Sequence, residues 1–93
     1  MKADLIFRRH VPLTEDSFAE LVAWKVPRPL EGSNHNFKYR FAYVVKDVCL
    51  LRYDNERGKG DHRHVGSVEQ PYKFSSLDAL IADFEKDVEG FEP

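Results

Sequence analysis

The stretch Arg52–His64, reading RYDNERGKGDHRH, gathers more proton-transfer groups and fixed positive charge than any other part of the chain. Four cations (Arg52, Arg57, Lys59, Arg63), two histidines (His62, His64) and three acids (Asp54, Glu56, Asp61) fall within thirteen residues. Histidine is the side chain whose ordinary pKa lets it give and take protons near neutral pH. If Asp61–Val65 is extended, His62 and His64 project from one face and Arg63 from the other. Two imidazoles flanking one phosphodiester suffice for RNA transesterification. One removes the 2′-hydroxyl proton and the other protonates the departing 5′-oxygen. A nearby cation stabilises charge building on phosphorus, and Lys59, Arg63 and Arg52 are available for that. Asp61 or Asp54 can orient a histidine, and Tyr53 can stack on a base or donate a proton. The scheme needs no metal and no other cofactor. Arg52, Arg57, Arg40 and Lys38 are the cations expected to hold the RNA backbone.

Other readings fit the same residues. His-x-His beside an aspartate is half of a zinc or manganese site, which would need a third ligand from His10, His35 or the acids. A charged loop with solvated histidines, or one that docks RNA, the ribosome or a protein without chemistry, needs nothing more. A nucleoside-triphosphate site is excluded, because Gly58-Lys59-Gly60 has neither the spacing nor the strand-to-helix context of a Walker loop.

The scaffold that presents this loop must be small. A chain of 93 residues, 42% hydrophobic and 13% aromatic, supports one domain (1–93) with a thin core. The single cysteine, Cys49, excludes an internal disulfide, and its setting in Val48-Cys49-Leu50-Leu51 reads as a buried small hydrophobe. No apolar run approaches the roughly 20 residues of a membrane span. Met1–Leu5 lacks a signal-peptide core, so a cytoplasmic location and no membrane partner are expected. The net charge of −2 divides unevenly: residues 77–93 carry −5 and residues 1–76 carry +3. A basic body can therefore still focus positive potential in one cleft.

The elements follow from periodicity. Residues 2–11 read as a first strand. Phe18–Val26 fits both a helix and a strand period; Val22, Trp24 and Val26 alternate up to Pro27, which favours a strand hairpinned to the first. Pro27–Asn36 is a loop, and its His35 reads as a solvated side chain. Phe37–Lys46 is the strongest strand, with Phe37, Tyr39, Phe41, Tyr43 and Val45 on one face. A turn at Lys46–Val48 leads into Cys49–Tyr53. A two-residue loop then places Leu50 and Arg52 beside the aromatics, and Leu51 and Tyr53 beside Val44 and Arg40. Asp54–Gly60 reads as loop, Asp61–Val65 as strand, Gly66–Gln70 as turn and Pro71–Phe74 as a short extended piece. Ser75 or Ser76 caps a helix in which Leu77, Leu80, Ile81, Phe84, Val88 and Phe91 form an apolar stripe. The fold class expected is α+β: an antiparallel sheet of four to five strands packed by a C-terminal amphipathic helix.

These residues together resemble the TumE family of small bacterial toxins from two-gene toxin–antitoxin systems. The likeness runs over nearly the whole chain. It is carried by Phe18-Ala19-Glu20-Leu21, Trp24-Lys25-Val26-Pro27, Lys38-Tyr39-Arg40 and, above all, Arg52-Tyr53-Asp54-Asn55 with Gly58-Lys59-Gly60-Asp61-His62-Arg63-His64. Pro71-Tyr72-Lys73-Phe74 and Asp83-Phe84 complete it, while Val48 stands where the family's hairpin turn would have glycine. The resemblance implies a growth-inhibiting toxin that cleaves RNA and is neutralised by a helix-turn-helix antitoxin. Carried over by motif, the family's functional residues fall on Lys59, Asp61, His62, Arg63 and His64. The acidic C-terminal helix is either a solvated face or a dock for a basic antitoxin, and a homodimer is left open.

Overall fold

Aromatic residues at every second position of a segment demand a strand with one buried face. The computed structural model, which describes residues 3–91, places Phe37–Val45 as the third strand of a six-stranded antiparallel sheet. The strands are β1 (Asp4–Thr14), β2 (Ser17–Lys25), β3 (Phe37–Val45), β4 (Val48–Glu56), β5 (Gly60–Val65) and β6 (Val68–Pro71), followed by helix α1 (Leu77–Phe91). Each strand pairs with the next, so the sheet is a meander with β1 and β6 at its edges. The α+β class and the covering helix are as expected, with six strands where four or five were expected. The sixth comes from Val68–Pro71, most of which lies in the segment expected to turn. Lys2, placed in the expected first strand, lies outside the described residues.

β2 settles the ambiguous segment as strand. Ser17, Ala19, Leu21 and Ala23 are buried in strict alternation, a period that only an extended chain produces. α1 begins where Ser76 Oγ accepts the Ala79 N–H at 3.0 Å, with Asp78 in the first turn favoured by the helix dipole. Its Leu80, Phe84 and Val88 are buried against Tyr39, Phe41, Tyr43, Leu51 and Tyr53. The Phe84 ring meets Phe41 and Tyr53 edge-on, at centroid distances of 5.5 and 5.9 Å. A cage of that kind makes Phe84→Ala cost about 3–5 kcal/mol.

The β3–β4 register corrects the expected faces. Lys46 and Asp47, with φ of 49° and 64°, form a two-residue turn that pairs Val45 with Val48 and Val44 with Cys49. Up to that point odd residues oppose even ones, as the loop length requires. A bulge at Leu50 then inserts one residue, and Tyr43 pairs with Leu51 and Phe41 with Tyr53. One extra residue reverses the parity of everything beyond it. Leu51 and Tyr53 therefore join the buried aromatics, and Arg52 goes to the opposite face. Cys49 lies between turn and bulge on the side away from the helix, and it is exposed, not buried. β4 also runs on to Glu56, so the expected loop 54–60 shrinks to the turn Arg57-Gly58-Lys59.

Candidate active site

Alternation divides the Gly60–Val65 strand between the two faces of the sheet. Arg63 lies in a cross-strand row with Leu21, Phe41 and Tyr53, on the helix-covered side. His62 lies in the row of Arg8, Val22, Arg40 and Asp54, and His64 in that of His10, Glu20, Ala42 and Arg52, on the open side. The residues that sequence groups as one motif therefore serve two environments.

On the covered side the motif is an anchor. Asp61 accepts three hydrogen bonds, each 2.7 Å: Ser33 Oγ to Oδ1, and His35 Nε2 and Tyr39 OH to Oδ2. His35 Nδ1 accepts the Phe37 N–H, so Nε2 carries the ring proton and donates it to Asp61. The Phe74 ring stacks on the imidazole at 3.7 Å. Both nitrogens of His35 are thus occupied, and its role is to hold the 27–36 loop to β5. Burial first, and then the Asp61 hydrogen bond, push the Tyr39 phenol far above its ordinary value, so it remains a donor. Asn55, fully buried, continues the β3–β4 pairing with its side chain: Oδ1 accepts the Tyr39 N–H at 3.0 Å, and Nδ2 donates to Phe37 O at 2.7 Å.

Backbone contact completes the clamp. A Cβ on Gly60 would stand 2.6 Å from Gly32 O, and one on Gly32 would stand 2.7 Å from Gly60 N. Both residues have positive φ, which glycine adopts at no steric cost. The Gly58 N–H also donates to Glu31 O at 2.7 Å, joining the loop to the β4–β5 turn.

Arg63 is the second anchor. Its Nε donates to Asp87 Oδ2 at 2.7 Å and to Tyr53 OH at 3.2 Å, while Tyr53 OH donates to the same Asp87 oxygen. Burial and then the Asp87 bond raise the Tyr53 phenol well above its ordinary value. Burial also pushes Asp87 up, but the hydrogen bonds from Arg63 and Tyr53 outweigh it and leave the carboxyl below its usual value.

On the open side the histidines stand together. Their ring centroids are 6.4 Å apart, and the side chains are 19% (His62) and 22% (His64) exposed. Arg52 Nη2 lies 3.1 Å from His64 Nε2, and Arg52 Nε lies 3.1 Å from Asp54 Oδ2. An arginine donor facing Nε2 selects the tautomer with its proton on Nδ1. Asp54 Oδ1 lies 3.5 Å from the same Nε2, and Glu69 Oε1 lies 3.9 Å from Nε2 of each histidine. Among the described residues, no three His, Cys, Asp or Glu side chains converge as a metal-holding group.

The structure thus brings His62, His64 and Arg52 together, with Asp54 and the exposed Arg40 in the row of His62. It directs Asp61, Arg63 and Tyr53 to the other face. Lys59 and Arg57 are exposed in the turn. Lys38 donates its Nζ to Asn55 O at 2.9 Å. Lys59 and His62 also border a groove of about 360 Å³ at the end of β5, walled by Tyr72, Lys73 and Phe74. Sequence reasoning passed over Glu69, which enters with the unexpected β6. It also passed over the anchoring of His35, since nothing local in a Pro/Gly loop tells where it folds back.

No described helix is long and apolar enough to cross a membrane. No curated protein and no solved structure matches the chain. A family model described as Toxin TumE matches residues 3–92, which take in both strands of the histidine hairpin, the loop that clamps it and the helix that Arg63 grips. The chain belongs to the TumE toxin family.

Proposed function

We propose that this toxin is an endoribonuclease that cuts RNA by metal-independent acid–base transesterification, with His62 and His64 as the proton-transfer pair. The observation that carries the reading is the placing of two part-buried imidazoles 6.4 Å apart beside Arg52, on a sheet face that the helix does not cover. Glu69, 42% exposed and 3.9 Å from Nε2 of each ring, must swing out to solvent for a phosphate to approach both. The 2′-oxygen attacks phosphorus as its proton passes to one histidine. The bond to the 5′-oxygen breaks as the other histidine delivers a proton, leaving a 2′,3′-cyclic phosphate and a 5′-hydroxyl. Arg52 stabilises the charge that develops on the phosphoryl oxygens. Its contact with Nε2 supports His64 as the base: an arginine drawn to the phosphate frees that lone pair to accept the proton. Arg40, Lys59 and Arg57 are exposed and can hold flanking phosphates. Asp61, Arg63 and Tyr53 act through the fold, by fixing β5.

Toxin membership implies an antitoxin in general, which we take to be a helix-turn-helix protein, with the cytoplasm as the site of action. The test is cleavage of a fluorophore–quencher RNA by purified protein in EDTA. Cleavage to cyclic-phosphate ends, lowered roughly 10²–10⁴-fold by either histidine-to-alanine change, is the expected result. RNA bound but left intact would indicate a docking module. Cleavage abolished by EDTA and restored by zinc or manganese would indicate a metal nuclease.

A further inference from the structure

β1 is the longest strand of the sheet and one of its two edges, and it is barely covered. Ten of its eleven residues are exposed, and among the described residues it pairs only with β2. Its outer edge has a pattern. Leu5, Ile6, Val11 and Leu13, each at least 40% exposed, flank the cationic centre Arg8-Arg9-His10. Bulges after Leu5 and after Pro12 bound a regular stretch of ladder, Phe7–Pro12, between them. Beside it, between β1, β2 and α1, lies an apolar groove of about 320 Å³ walled by Val11, Leu13, Leu21, Phe84 and Val88. The helix leaves this groove open because its ridge sits over the centre of the sheet.

An unpaired strand edge is a template for another strand. A second copy of this chain is a poor occupant. Any two-fold pairing of β1 with itself, in near-full register, sets Arg8 and Arg9 against Arg8, Arg9 and His10, and like charges directly opposite repel. The same centre attracts carboxylates. His10 is already held by Glu20 at 3.0 Å and Arg9 lies over the Phe7 ring, whereas Arg8 has no ion pair among the described residues. Arg9, Glu85 and Glu89 stand at the rim of the groove with one net negative charge, so what its walls accept is apolar and the attraction for carboxylates rests with Arg8.

We propose that the free edge of β1 receives an extended segment of a partner protein, acidic at its centre opposite Arg8 and Arg9 and apolar on either side. Main-chain hydrogen bonds supply affinity, the flanks cover the groove, and the central charge excludes self-association while admitting the partner. The proposal is independent of the endoribonuclease reading, since β1 contributes nothing to the histidine pair.

The probe is a blocked synthetic nine-residue peptide with valine–threonine flanks and a Glu-Asp-Glu centre, compared with one whose centre is Lys-Arg-Lys. Binding is read by fluorescence anisotropy at low ionic strength and located by backbone amide shifts. The acidic-centred peptide should bind about tenfold more tightly or better, with shifts along β1. The double variant Arg8→Glu, Arg9→Glu should reverse the preference; both side chains are exposed, and a thermal melt confirms that the variant is folded. Several results would overturn the proposal: no binding of the acidic peptide, a preference that survives charge reversal, or shifts confined to other strands. So would a wild-type dimer joined through β1. Loss of RNA binding in the variant with peptide binding unchanged would assign the edge to nucleic acid instead.

Discussion

The two faces of the β4–β5 hairpin are built from alternate residues of one short stretch, and they differ in kind. On the helix side, the Asp61 carboxylate is held by Ser33, His35 and Tyr39, and Arg63 Nε is held by Tyr53 and Asp87. On the open side, Arg52 contacts His64 and Asp54, the His62 and His64 rings stand 6.4 Å apart, and Glu69 approaches both. One face spends its polar groups on folding, and the other holds them available. Adjacent charged residues in a strand are therefore a poor guide to a shared role, because the pleat sends them apart.

The harshest way to break the contrast is to shift the parity of β4 by one residue. Insertion of one alanine between Leu51 and Arg52 exchanges the faces of β4 beyond it, driving Arg52 and Asp54 toward the core. We expect no cooperative thermal transition in that variant. Next comes Asp61→Ala, which strips the shared acceptor from three buried or half-buried donors. It should cost about 3 kcal/mol or more by urea titration, and it should release the 27–36 loop to hydrogen exchange.

Asp87→Asn is milder, about 1–2 kcal/mol at neutral pH, and it has a pH signature. The native Asp87 carboxyl lies below its ordinary value of 3.8. Its contribution to stability is therefore complete above that value and is lost as the pH falls through the lower native one. Melts taken between pH 6 and pH 2 should show wild type losing stability in the acid range and the variant losing less. The smallest effect should come from the open face. The His62→Ala, His64→Ala double variant should stay within about 1 kcal/mol of wild type, since neither imidazole closes a buried network.

Much of this arrangement is legible in the sequence, for identifiable reasons. The helix stripe and the β3 alternation are periodic signals that packing had only to accept. The placing of His62 and His64 on one face, with Arg63 on the other, follows from the period of a strand alone. The side of the sheet on which Arg52 and Tyr53 fall was not legible, because a bulge adds one residue without any mark in Val48-Cys49-Leu50-Leu51. His35 was illegible for a different reason: its partners Asp61 and Phe74 lie 26 and 39 residues away, and only the returning loop brings them together. The expectation that Asp61 and Tyr53 share the site with the histidines came from their nearness in sequence, and the pleat separates them.

The central claim is that toxicity resides in the two open-face histidines. The most direct measurement is growth after induced expression of wild type and of His62→Ala, His64→Ala, at matched soluble protein level and with matched melting temperatures for the purified proteins. Arrest by wild type and normal growth with the folded double variant is the predicted result. Equal arrest by both would contradict the claim.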